Sequence, residues 1–155
     1  MESRIPTIKV QTADFNVAAE IEKLTHGRTD IGAVVNFVGL CRSEDDTLEA
    51  LELEHYPGMA VKQLEALARE ATDRWPLDGV TIIHRHGRIE PGQQIVLVVA
   101  TSMHRDAAFE GARFMMDYLK TDAPFWKKEH KVGQTDGSWV DAHDADLMAR
   151  QRWAS

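Results

Sequence analysis

"GVTIIHRHGRIEPGQQIVLVVATS", residues 79–102, decides the fold. Residues 79–89, rich in Val and Ile, read as a strand, and "EPGQ" (90–93) as a turn punctuated by Pro91 and Gly92. "QIVLVVATS" (94–102) then reads as a second, buried strand. Strands joined by so short a turn run antiparallel, because a parallel crossover needs a dozen residues or more.

The same reading extends in both directions. Downstream, "RDAAFEGARFMMDYLK" (105–120) has helical spacing, with Phe109, Ala112, Met116 and Leu119 expected to face inward. Upstream, "MAVKQLEALAREATDRW" (59–75) is the clearest helix; Ala60, Leu64, Leu67, Ala68, Ala71 and Trp75 form its apolar stripe, and Pro76 stops it. "LEALELEHY" (48–56) alternates from Leu51, which sets Leu51 and Leu53 on one face and Glu52 and Glu54 on the other. "IGAVVNFVG" (31–39) is expected as a buried strand, and "SEDDT" (43–47) as an acidic loop. A helix over 14–27, with Asp14 or Asn16 as cap and Gly27 at its end, follows a first strand over 4–12. A short strand is expected over 138–142. The order β-α-β-β-α-β-β-α with a tail implies an α+β fold: a mixed, mostly antiparallel sheet with about three helices.

Length and composition bound the function. A chain of 155 residues is expected to form one domain, 1–155, and buries roughly 70% of its unfolded surface without a staple. The single cysteine, Cys41, excludes a disulfide scaffold and is read as a small core residue. "MESRIPTIKV" (1–10) lacks a signal peptide's apolar run, and no stretch approaches a bilayer-crossing length, so a cytoplasmic protein without membrane partners is expected. The balance of 25 acidic against 18 basic residues, net −7, argues against general nucleic-acid binding. Any anionic ligand must be met by a local cluster of positive charge.

Such residues stand where strands and helices end. Arg42 follows the strand 31–39, and His104 and Arg105 lie between the strand 94–102 and the helix that follows. Lys120 closes that helix, and Lys127 and Lys128 come within eight residues of it. Arginine grips phosphate with two parallel hydrogen bonds; lysine supplies a point charge that also moves a proton. Each has a plainer role as well: Arg42 as a solvated strand end, Lys120 as a complement to the helix dipole. Pro124 ends the helical run, and Phe125 and Trp126 dock the extended chain so that Lys127 and Lys128 point back toward Lys120. His84 and His86, two apart on one strand, share a face and form a metal-chelating pair, but no third ligand has matching spacing.

The stretches "GAVVNFVGLCR" (32–42), "LELEHYPGM" (51–59) and, above all, "IHRHGRIEPGQQIVLVVATSMHRDAAFEGARFMMDYLKTDAPFWKKE" (83–129) resemble the large, catalytic subunit of molybdopterin synthase, with "WV" (139–140) a weaker match. The resemblance implies an α/β hammerhead fold and a sulfurtransferase that installs the dithiolene of molybdopterin on cyclic pyranopterin monophosphate. It implies a homodimer within a heterotetramer. The partner would be a small ubiquitin-like sulfur carrier whose C-terminal Gly-Gly thiocarboxylate enters a pocket of the large subunit. No cofactor or metal is implied. Carried over by position, Lys120 and Lys127 are the catalytic candidates, and Arg42, His104, Arg105, Lys128 and Glu129 bind substrate. Leu40 and Cys41 depart from the basic or polar and the aliphatic residue expected there, and the 43–47 loop is short and acidic.

A phosphorylated substrate and an anionic thiocarboxylate must meet in one pocket. The donor sulfur is already nucleophilic, so the protein has only to neutralise charge, orient the reactants and move protons. The competing reading is a non-catalytic anion- or tail-binding module of the same fold. A weaker one is a metal-binding protein using His84 and His86.

Overall fold

The computed structural model describes residues 5–56, 58–121, 124–135, 137–140 and 152–153. Its elements are β1 (Thr7–Gln11), α1 (Val17–Thr25), β2 (Ala33–Leu40), β3 (Leu48–His55), α2 (Met59–Arg74), β4 (Gly79–Arg85), β5 (Gly87–Ile89), β6 (Gln94–Ser102), α3 (Arg105–Thr121), β7 (Phe125–Lys131) and β8 (Ser138–Val140). The eight strands and three helices among the described residues confirm the α+β class. The strands divide into two four-stranded sheets, in the orders β1-β4-β6-β2 and β5-β3-β7-β8. Every described pairing is antiparallel except β1 with β4.

The division falls inside the stretch expected to be one strand, 79–89. β4 ends at Arg85 in the first sheet and β5 starts at Gly87 in the second, so His86 alone separates them. Gly87 turns the chain at φ 88°, in the left-handed region open to glycine. The apolar run does continue to Ile89, which is fully buried, but in a different cluster, with Cys41, Leu51 and Leu53.

The main core lies between the first sheet and α2 and α3. Leu64, Ala68 and Ala71 of α2 meet Val80, Ile82, Val96 and Val98 of the sheet and Phe114, Met115 and Leu119 of α3. Trp153 closes this core from outside: its ring packs edge-on to Trp75 and Phe114, and its indole N–H donates to the Asp117 carboxylate. α1 covers the opposite sheet face, where Leu24 meets Ile83, Leu97 and Val99. Its cap is Asn16, whose side chain accepts from Ala19 N at 3.0 Å. Asp14 instead accepts from Gln94 and Phe15, and these hydrogen bonds, Gln94 first, lower its pKa.

Two expectations about burial are corrected. β2 is an edge strand rather than a buried one, with Val34, Phe37 and Leu40 exposed. Phe109 is 59% exposed; α3 turns Ala108, Ala112, Met115 and Leu119 inward, and Phe109 falls off that stripe. The alternation of β3 holds, with Leu51 and Leu53 buried and Glu54 exposed. Of the strand expected over 138–142, Ser138–Val140 is present and residues 141–142 lie outside the described residues. No helix among the described residues is long and apolar enough to cross a membrane.

Candidate active site

β4 and α3 reach the same end of the first sheet by opposite routes. β6 runs antiparallel to β4, with His84 opposite Val96, and to β2, with Leu40 opposite Gln94. α3 leaves the far end of β6 and runs back along it, which brings Lys120 toward the end of β4. β7 follows at once, paired to β3 with Phe125 opposite His55 and Lys127 opposite Leu53. Directly opposed residues share a face, so Lys127 lies on the side of buried Leu53.

His84 stands where these elements meet. It is buried, its Nδ1 lies 2.9 Å from the Arg85 carbonyl, and its ring stacks on Phe125 with centroids 3.7 Å apart and planes 9° from parallel. Arg85 is itself fixed by donating to Thr12 O at 3.1 Å and to Gln94 O at 2.7 Å. Burial pushes the His84 imidazole down to a pKa of about 4. The hydrogen bond to Arg85 opposes this, and the charges of Lys127, Lys120 and His86 add to it. Both lysines therefore bear on one imidazole, although they come from a helix end and a strand. His55 extends the group, with its ring 5.9 Å from Phe125 and 4.3 Å from His86. Burial and then the His55 charge also lower the His86 pKa.

The other expected residues divide. Arg42 lies at this end, just beyond β2, exposed and paired with Glu44 at 3.0 Å. Glu129 is on the Lys127 face of β7, two residues on, and lies 3.7 Å from Lys131. Lys128 points to the opposite face: it sits opposite Glu52 and Trp139, with its ammonium 5.3 Å from the Trp139 ring centroid. The expectation that both lysines turn toward Lys120 is thus corrected for Lys128, because β7 is a regular strand whose side chains alternate. His104 and Arg105 are exposed at the start of α3. Fifteen residues at 1.5 Å each put Arg105 about 22 Å from Lys120 along the helix. The two ends of α3 do not share a pocket within one chain.

The weaker metal-binding reading of His84 and His86 finds no support in their placement. His86 lies beyond the end of β4, and His84 spends Nδ1 on a backbone carbonyl. No group of three or more His, Cys, Asp or Glu side chains with metal-holding geometry occurs among the described residues. A groove of about 170 Å³ between α2 and α3, lined by Leu64, Leu67, Tyr118, Leu119 and Pro124, carries none of the basic residues.

The sequence profile of the MoaE protein family matches residues 10–122, a span that includes β4, β6 and the whole of α3. The chain belongs to the MoaE family. A molybdopterin synthase catalytic subunit from Mesorhizobium japonicum is 61% identical over 97% of this chain and 94% of its own length. A solved structure of molybdopterin cofactor biosynthesis protein E from Burkholderia multivorans ATCC 17616 superposes with a TM-score of 0.83 at 48% identity, covering 98% of this chain and 99% of the other. A chain from a protein–protein complex of subunits 1 and 2 of molybdopterin-converting factor from Helicobacter pylori 26695 shares the fold, with a TM-score of 0.70 at 21% identity over 88% and 90% of the two chains.

Within this MoaE-family chain Cys41 is a core residue. It is 3% exposed and its thiol lies 3.8 Å from the Ile89 carbonyl oxygen. Burial, then the Glu129 charge, raise its pKa, which leaves the thiol protonated and unreactive near neutrality. His84 is the residue whose place sequence reading missed. Its place in the Val- and Ile-rich run 79–89 is the signal that points inward, but only the fold brings Phe125 against it.

Proposed function

We propose that this chain is the catalytic subunit of a molybdopterin synthase and that residues 1–155 act as one domain. It would transfer sulfur from the C-terminal Gly-Gly thiocarboxylate of a small ubiquitin-like partner to cyclic pyranopterin monophosphate, building the dithiolene. The observation that carries this reading is the approach of Lys120 and Lys127 to one place from separate elements, in a protein of net charge −7. Two cations fixed there offset the anionic thiocarboxylate and the substrate, and either ammonium can pass a proton to the carbonyl or hydroxyl oxygen being displaced. Arg42, at the same end, supplies a fork for phosphate. Glu129 on the Lys127 face is suited to orient that lysine.

His104 and Arg105 belong to the same site only if a second copy of the chain supplies them, since about 22 Å of helix separates Arg105 from Lys120. The homodimer implied by the family resemblance meets that requirement. Lys128, on the face opposite Lys127, is a supporting charge rather than a member of the Lys120–Lys127 pair.

The test mixes the purified protein with a thiocarboxylated small subunit and cyclic pyranopterin monophosphate and follows molybdopterin formation. Product that requires both the protein and the partner's terminal Gly-Gly supports the assignment. Full turnover with a partner lacking Gly-Gly refutes it. Tight binding of the intact partner without product would instead favour the non-catalytic tail-binding module.

A further inference from the structure

Lys120 and Lys127 belong to parts of the chain that do not share a sheet. α3 packs on β2 and β6 of the first sheet, while β7 hydrogen-bonds to β3 and β8 of the second. Their relative position depends on what joins the two layers at that point. Phe125, the first residue of β7, packs against the main core, and its ring stacks face to face on His84 of β4. The imidazole is held from behind by its Nδ1 contact to the Arg85 carbonyl, and Arg85 is anchored to Thr12 and Gln94. Phe125 and Lys127 are two residues apart on one strand and so lie on one face. Whatever fixes the Phe125 ring fixes the point from which Lys127 projects.

We infer that His84 is a positioning residue: stacked as a neutral imidazole on Phe125, it holds the start of β7 against the first sheet and thereby sets Lys127 beside Lys120. This rests on the catalytic reading of the two lysines. The groups that face the imidazole suit a neutral ring. Lys120 approaches from α3 and Lys127 from β7, and a third positive charge beside these two cations would be repelled; His86, at the β4–β5 junction, acts in the same direction. His55 of β3, its ring tilted 40° with centroids 5.9 Å from Phe125, adds to the aromatic support. Because the ring works by its flat face, phenylalanine is a competent substitute and alanine is not.

The experiment uses the full chain with its lysines carrying ¹³C-methyl labels, the Lys127 signal being assigned by its loss in Lys127→Ala. In His84→Ala the Lys127 signal is expected to move to the position of an exposed lysine, whereas in His84→Phe it stays. Turnover with the thiocarboxylated partner falls about 10- to 100-fold in His84→Ala with the KM for the pterin little changed, as expected when a reacting group is displaced by about an ångström. In His84→Phe turnover recovers to within about threefold of the parent, the rescue expected if stacking alone is needed. A folded His84→Ala protein whose Lys127 signal does not move overturns the inference, as does a folded His84→Phe protein that behaves like the alanine variant. Should His84→Ala fail to fold, Phe125→Leu breaks the same stack from its more exposed side and reads the same signal. If the parent makes no product while the signal responds as described, the synthase reading fails and the positioning role stands.

Discussion

Acidification should destabilise this protein, chiefly through one residue. His84 has an imidazole pKa of about 4 in the folded chain against 6.5 for the ordinary side chain. Between those values the unfolded chain binds a proton that the folded chain refuses, so stability rises with pH across the window. The contribution is complete above pH 6.5 and is lost as pH falls toward 4. At pH 5 the loss relative to pH 7 is about 2 kcal/mol, and across the whole window about 3 kcal/mol. Little discount for solvent is needed, because His84 is only 6% exposed. Asp14 acts elsewhere on the scale: its lowered pKa gives stability that is present above the usual carboxylate value of 3.8 and lost below it. His86, also lowered, adds a share in the same direction as His84. Urea unfolding followed by circular dichroism at pH 7, 6 and 5, at fixed protein concentration and ionic strength, measures the slope. His84→Phe should remove most of it. An equal slope in parent and variant would refute the argument, since the proton would then be taken up somewhere else.

Replacing Lys120 or Lys127 by alanine should leave the fold intact and cut molybdopterin formation by about 10²-fold or more; unmodified rates in both would dismiss the site assignment. Lys120→Arg keeps the charge but not the proton transfer, so retained activity marks an electrostatic anchor and lost activity, with substrate still bound, marks acid–base work. Arg105→Ala should weaken substrate binding while changing folding stability by less than about 1 kcal/mol, because exposed charges contribute little to folding. Gly32→Ala should destabilise by about 3 kcal/mol, since the added carbon would lie 2.1 Å from the Met103 carbonyl oxygen. An unchanged urea midpoint for that variant would mean that the backbone before α3 moves aside freely.

Much of the fold was legible because local signals agreed with the global one. β6 has the bounds its apolar run predicts, and α3 extends one residue past the predicted Lys120. What escaped depends on contacts that no local pattern carries. The Val- and Ile-rich run 79–89 has one propensity throughout, and nothing in it tells that Arg85 and Gly87 lie in different sheets. The apolar composition of β2 marks a face to be covered, not whether the same chain covers it. At the site, the residue types of Lys120 and Lys127 were readable from their spacing around Pro124. The opposed directions of Lys127 and Lys128 were not, because they depend on β7 pairing with β3, a partner some 70 residues away.

The one-residue passage from β4 to β5 makes this stretch intolerant of changes in length. A surface loop absorbs an inserted residue; this junction cannot. One residue added at His86 would reverse the alternation of β5, turning Ile89 out of its cluster with Cys41, Leu51 and Leu53 and driving Arg88 inward. The alternative is to slide β5 along β3, out of the register that sets Ile89 opposite Leu51. Either outcome disturbs β3, whose other edge carries the strand that bears Lys127. Among functional relatives, insertions and deletions should therefore gather in the 43–47 loop and the connection after Lys131, and the spacing from His84 to Ile89 should stay fixed even where its residues vary.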